Sequence, residues 1–232
     1  MIPESSSKEF GGRAEKWPRD WLKRFADIHK SKAPKVGKRL LIYDVPGTLV
    51  SRVSRHKHGS HILIPASSAF GTGGHATTAM SLRLLERLTR KWDKGWSLAD
   101  LGTGSGILIL AAKRFGAGRV TGIEIDPKAI SIARENARLN KIKNVDFRLG
   151  DLSKWKLIGT RDVVAANLYS ELLIKVLPKP KRCTWLILSG VLRSQENEFL
   201  RVLRRNKIKI VNAKRRGKWV AVLAKLGHLL GA

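Results

Sequence analysis

SLADLGTGSGILILAAKRFGAGRVTGIEI, residues 97–125, is the stretch on which the fold turns. SLADL is a short apolar run closed by glycine, the pattern of a buried strand. Ile107 to Phe115 reads as a helix, and RVTGIEI (119–125) as a second strand. A strand–helix–strand unit of this kind joins parallel strands. Gly102, Gly104 and Gly106 occupy the first strand-to-helix turn. Glycines there let the backbone bend sharply and let a ligand approach the main chain. The helix N-terminus behind them offers unpaired N–H groups to an anionic group. The spacing is G-x-G-x-G, which is neither G-x-G-x-x-G nor a Walker loop.

Glu124 lies 22 residues after Gly102, at the end of the second strand. In an open parallel sheet that position faces the same crevice as the glycine loop. An acid there can accept two hydrogen bonds from a ribose diol. The competing reading makes Glu124 a cap for the next helix, but Asp126, followed by Pro127, suits that role better. Glycine loop and acid together point to a nucleoside-bearing cofactor. NAD and S-adenosylmethionine both carry ribose; a G-x-G-x-G loop led by an acid, Asp100, favours S-adenosylmethionine. Asp151 follows the third strand, VDFRL (145–149), and reads equally as a contact for the adenine amine or as a solvated turn residue.

Outward from this unit the alternation continues. Pro127 to Asn140 is a helix and DVVAANL (162–168) a strand. Glu171 to Leu177 is a short helix, TWLILSG (184–190) a strand and Gln195 to Arg205 a helix. KIKIVNA (207–213) and KWVAVLA (218–224) form a terminal antiparallel hairpin around Arg216-Gly217. The expected class is α/β: a seven-stranded, mainly parallel, doubly wound sheet. Upstream, residues 1–15 read as a frayed tail and 17–28 (WPRDWLKRFADI) as a helix. RLLIYDV (39–45), TLVSRV (48–53) and HILIP (61–65) read as strands. The division expected is an extension over 1–70 and a catalytic domain over 71–232.

Composition sets outer bounds. The chain has 232 residues, 43% of them hydrophobic, which suits one sizeable domain with an appendage. No apolar run approaches the roughly 18–20 residues of a membrane helix, and the N-terminus lacks the pattern of a signal peptide. A cytoplasmic protein with no membrane partner is expected. One cysteine, Cys183, excludes a disulfide framework and a cysteine-cluster metal site. His56, His58 and His61 have no carboxylate partner nearby, so no metal site is expected. The net charge is +28, shared as +8 over 1–60, +7 over 61–150 and +13 over 151–232. A domain this basic attracts polyanions such as RNA or ribosomal surfaces.

The chain resembles the ribosomal protein L11 methyltransferases, class I S-adenosylmethionine enzymes that methylate amino groups of a ribosomal protein. The matching stretches are AFGTGGHATT (69–78), DLGTGSGILILAAKRFGAGRVTGIEIDPKAI (100–130), AANL (165–168), LILSGVL (186–192) with Gln195, and KWVAVLA (218–224). The first is the most specific, because methyltransferases at large lack it. The resemblance implies that Thr78 contacts the cofactor from the preceding helix, that Gly102 lines its methionine portion, and that Glu124 holds the ribose. It places Asn167 beside the transferring methyl, orienting the amine, and His75 in a loop over the cofactor. The sequence departs from the family at several points. Glu124 stands where Asp is usual, Gly74 and Ala76 where Thr and Pro are usual, and Tyr169 follows Leu168. About 70 residues precede the matching block, too few for the family's N-terminal substrate-recognition domain plus its linker, so a short form is expected.

The activity expected is that of a protein N-methyltransferase acting on lysine or N-terminal amines of a ribosomal or other acidic protein, with weak RNA or ribosome association. The alternative is an RNA methyltransferase, favoured by charge. Against it, Ala166-Asn167-Leu168-Tyr169 lacks the Asn-Pro-Pro-Tyr type of motif that clamps a flipped base. Tyr169 is expected to wall the acceptor pocket. The seven tryptophans and Cys183 read as packing residues.

Overall fold

The structure is a computed structural model that describes residues 35–36, 40–45, 61–65, 71, 73–154, 159–177 and 183–226. The helix expected over 17–28 and the strand over 48–53 lie outside these residues. The described chain opens with β1 (Lys35–Val36), β2 (Leu40–Val45) and β3 (His61–Pro65). β1 pairs antiparallel with β2, and β2 pairs parallel with β3. Then come α1 (Ala76–Thr89), β4 (Ser97–Leu101), α2 (Ile107–Arg114), β5 (Arg119–Glu124), α3 (Pro127–Leu139) and β6 (Asp146–Leu149). β7 (Arg161–Asn167), α4 (Ser170–Val176), β8 (Cys183–Leu192), α5 (Glu196–Arg205), β9 (Ile208–Arg216) and β10 (Trp219–Leu226) complete it.

β4 to β10 form one seven-stranded sheet in the order β6-β5-β4-β7-β8-β10-β9. The first five strands in that order are mutually parallel, and β10 runs antiparallel to both β8 and β9. This is the α/β sheet that the alternation implies. From β4 the chain winds outward to β5 and β6, then returns to place β7 on the other side of β4. The crevice at that reversal, at the carboxyl ends of the strands, is where such sheets take ligands.

Local chemistry explains the elements that aim the crevice. All five residues of β4 are buried, as a central parallel strand covered on both faces requires. Asp126 caps α3 by accepting from Lys128 N at 2.8 Å, with Pro127 in the first turn. The two faces of the sheet carry separate cores. One holds Leu82, Leu84 and Leu85 of α1 with Ile109 and Leu110 of α2. The other holds Leu173 of α4 with Phe199 and Leu203 of α5. Each such side chain contributes roughly 1.5–3 kcal/mol by leaving water.

The strands of 35–65 pack with the large sheet. The chain divides into Met1–Ala33 and Pro34–Ala232. The strands of 35–65 therefore belong with the large sheet's unit. Ile62 and Ile64 are fully buried in the same core as Leu82 and Ile109. Asn140, just past α3, accepts from Leu63 N at 2.8 Å and donates from Nδ2 to Leu63 O at 2.8 Å. Its carboxamide thus pairs with β3 as the peptide group of a neighbouring strand would. No helix among the described residues is long and apolar enough to cross a membrane.

Candidate active site

A cavity of about 570 Å³ opens at the reversal point. Gly102 and Gly104 come to it from the loop after β4, Glu124 and Ile125 from the end of β5, and Asp151 from the turn after β6. Asn167, Leu168 and Tyr169 join from β7, Gly190 from β8, Trp219 from β10, and His75 and Thr77 from the start of α1. The cavity thus brings together Gly102, Gly104, Glu124, Asp151, Asn167, His75 and Tyr169 from the sequence-derived set. Gly106 and Thr78 are not on its wall. Gly106 takes the N-cap position of α2, under the ring of Phe147. Thr78 is buried one position further along α1 than Thr77 and meets Asn167 instead.

The loop after β4 is shaped to leave room. Gly102 has φ +73°, and a Cβ there would lie 2.5 Å from Leu168 Cδ2. A side chain there would collide with that of Leu168 on the cavity wall. Gly102 N and Thr103 N both donate to Ile123 O, at 2.9 and 3.0 Å, tying the loop to β5.

Glu124 is more committed than its position alone suggests. Its Oε2 accepts from Gly104 N at 3.0 Å, while Oε1 accepts from Ile125 N at 2.8 Å and Asp126 N at 3.2 Å. A carboxylate has about four acceptor positions, so one stays open before any backbone contact is exchanged. The methylene by which Glu exceeds Asp is what lets the carboxylate curl back onto its own strand end. Asp151 likewise does two things. It lines the cavity, and it accepts from Ser153 N and Ser153 Oγ, both at 2.7 Å, which fixes the turn.

Asp100, at the end of β4, is 1% exposed. Thr103 Oγ1 donates to its Oδ2 at 2.7 Å, and its Oδ1 has no hydrogen-bond partner. Burial, opposed by the Thr103 hydroxyl and reinforced by the charge of Glu124, pushes its carboxyl up to about 7. In the unfolded chain it titrates near 3.8. Between these values the native state binds more protons than the unfolded state, so stability falls as pH rises through that window. The loss from Asp100 is on the order of 4 kcal/mol. Asp100→Asn should remove this slope. Urea midpoints measured from pH 5 to about pH 8 should fall for the parent and stay flat for the variant. Parallel profiles would show that Asp100 is not the group responsible.

At the other end of the cavity, Asn167 is held from two sides. Ser189 Oγ donates to Asn167 Oδ1 at 2.8 Å, and Asn167 Nδ2 donates to Thr78 Oγ1 at 3.4 Å. His75 occupies the N-cap position of α1 without capping it through its side chain. Its Nδ1 lies 2.7 Å from Thr77 Oγ1, and its ring meets Trp219 edge-on at 5.3 Å between centres. Trp219, a packing residue by its sequence, is thus a wall of the cavity. Because β10 runs antiparallel to β8, its first residue pairs with Leu192 at the carboxyl edge of the sheet. That position depends on strand order, which the hairpin's own residues do not encode. Ser189 and Thr77 also belong to the site without standing out in the sequence. Ser189 sits in the LILSGVL stretch, where a serine in an otherwise apolar run is the available signal. Cys183 is half-buried, and burial pushes its thiol up to about 12, leaving it inert.

These residues fit S-adenosylmethionine. The glycine turn leaves main chain accessible, and Glu124 brings a carboxylate with an acceptor position open. Ile125 stands 66% exposed on the wall as an apolar surface for a base. The neutral amide of Asn167 sits at the far end.

Comparison with known proteins agrees. The model of the ribosomal protein L11 methyltransferase (PrmA) family matches residues 9–226. A ribosomal protein L11 methyltransferase of Dictyoglomus thermophilum is 31% identical over 220 residues, spanning 92% of this chain and 67% of that protein. One from Pelobacter propionicus is 35% identical over 225 residues, spanning 91% and 67%. The crystal structure of ribosomal protein L11 methylase from Lactobacillus delbrueckii subsp. bulgaricus superposes with a TM-score of 0.71 at 26% identity, covering 84% of this chain and 98% of that one. The chain belongs to the ribosomal protein L11 methyltransferase family and is an S-adenosylmethionine-dependent methyltransferase.

Proposed function

We propose that this chain methylates an amine nitrogen of a protein, a lysine side chain or an N-terminus, on a ribosomal or other acidic partner in the cytoplasm. The observation that carries the reading is Asn167: a neutral amide, locked by Ser189 and Thr78, in a cavity whose wall also holds Leu168, Tyr169, Leu172 and Trp219. S-adenosylmethionine supplies a methyl group already activated on a sulfonium, so the protein's task is alignment and exclusion of water. A lysine amine with a pKa near 10.4 is neutral in only about one molecule in 10³ at pH 7. Apolar walls disfavour its ammonium form and raise that fraction. The second lone pair of Asn167 Oδ1 orients an N–H without an anion to hold the amine charged. His75, on the cavity wall with its Nδ1 beside Thr77 Oγ1, accepts the departing proton.

Gly102 and Gly104 cradle the cofactor, Glu124 accepts from its ribose and Asp151 from its adenine amine. Thr78 acts through Asn167, and Gly106 sets the helix behind the loop. Of the three bonds to Glu124, the longest, to Asp126 N at 3.2 Å, is the one a second ribose hydroxyl would replace. Glu124→Ala should weaken cofactor binding about 10- to 100-fold, the effect of losing a charged hydrogen-bond partner. Calorimetry on a variant with an unchanged melting temperature checks this, and unaltered affinity would refute the ribose role.

The substrate class is tested by incubating the protein with methyl-labelled S-adenosylmethionine and cell lysate, with and without RNase. Label in a protein band that survives RNase is the expected result. Label carried by RNA would replace this reading with an RNA methyltransferase, and no label with a cofactor-binding module.

A further inference from the structure

The positive charge, spread along the whole chain, is dense at one edge of the sheet. Between Arg193 and Lys218 ten lysines and arginines stand against two glutamates. Both glutamates are already neutralised inside that segment, Glu196 by Arg215 and Glu198 by Arg201. Arg204, Arg205, Lys207, Lys209, Arg216 and Lys218 remain exposed, at the end of α5, along β9 and in the hairpin turn. β9 is the outermost strand. α5 packs against it, and so does α1. α5 contributes its buried residues to one core and α1 to the other, so the two helices flank the edge from opposite faces. On α1 and at its C-cap the exposed Arg83, Arg87 and Arg90 recur at i, i+4 and i+7, a single stripe, while the one acid of α1, Glu86, is buried. Crowded like charges repel one another and oppose folding, so a polyanion that neutralises them would be held favourably.

This rim begins at the mouth of the cavity. Lys218 Nζ stands 5.5 Å from the centre of the Trp219 ring, and Trp219 lines the cavity. We propose that the rim formed by α1, β9 and the end of α5 binds the phosphate backbone of structured RNA, holding it beside the methyl-transfer site. Rows of cations on a helix and a strand are rigid and extended, as is the phosphate array of a folded RNA. A protein partner would call for apolar anchors among the charges. Among the described residues only Val211 is a large exposed apolar side chain on this edge. The surface holds RNA whichever amine accepts the methyl group, so the inference stands apart from the acceptor's identity.

The test is binding of a fluorescently labelled RNA duplex to the full chain, followed by anisotropy over a range of salt concentrations. Two variants remove equal charge: Arg87→Gln, Lys209→Gln and Arg216→Gln on the rim, and Arg138→Gln, Lys143→Gln and Lys154→Gln at the opposite end of the sheet. The rim variant should bind at least about 10-fold more weakly, and its log–log salt slope should shrink by about 2–3, near one per lost phosphate contact. The control variant should stay within about twofold of the parent. Both should keep the parent's affinity for S-adenosylmethionine by calorimetry, which reports an intact fold. Equal weakening in the two variants would reduce the effect to net charge and overturn the proposal. So would tighter binding to poly-glutamate or to anionic lipid vesicles than to the duplex, which would assign the rim to an acidic protein or a membrane surface.

Discussion

Gly190→Ala should cripple the protein in both stability and turnover. Gly190 lies in β8 with φ +96°, a conformation L side chains rarely adopt. A Cβ there would stand 2.1 Å from Leu168 O and 2.7 Å from Leu168 C. Those atoms are backbone, so no rotamer change relieves the overlap. The Leu168 segment must move, yet it is fixed by its own N–H to Ser189 O at 2.9 Å. Strain and overpacking together should cost about 2–5 kcal/mol, read as a lowered urea midpoint. Displacement would also carry Asn167, one residue before and proposed to orient the amine, out of its place on the cavity wall. A misplacement of about 1 Å costs on the order of 10²-fold in rate, so residual folded variant should turn over at least that much more slowly. An alanine variant with the parent's midpoint and turnover would mean the two strand ends do not meet as described.

Asn167→Ala should separate catalysis from cofactor binding. The side chain sits at the end of β7, where its loss removes two hydrogen bonds but leaves Ser189 Oγ within 3.3 Å of Thr77 O as a replacement partner. The fold should therefore survive. Turnover should fall about 10²- to 10³-fold, the usual cost of losing a positioned polar group at a reacting centre. Calorimetric affinity for S-adenosylmethionine should hardly change. Asn167→Asp sharpens the point: an anion in that place would keep the amine as ammonium, so its turnover should climb more steeply with pH than the parent's. Loss of cofactor binding in Asn167→Ala would make the residue a structural one.

Whether an element is legible in the sequence depends on how local its causes are. The strand–helix alternation, the cap at Asp126 and the glycine turn are local, and all are visible in residues 97–140. The place of Trp219 is not local. It depends on β10 inserting between β8 and β9, a pairing made across the sheet. The choice between Thr77 and Thr78 as the wall residue is a matter of helix rotation at the start of α1, which neighbouring threonines cannot announce. That Glu124 faces the crevice is readable from its place at a strand end, but its three backbone partners arise from one extra methylene and the bend after β5. The strands of 35–65 resemble an appendage because nothing in HILIP reveals that Asn140, 77 positions from Leu63, reads its peptide group.

That last pairing decides how short a working version of this protein can be. A chain trimmed to begin at Gly71 would strip β3 from the sheet's flank and leave the Asn140 carboxamide without either Leu63 partner, while opening to water the apolar layer now covered by Ile62 and Ile64. The minimal autonomous piece is therefore larger than its glycine-rich signature, and its first indispensable strand lies upstream of every residue that touches the reaction.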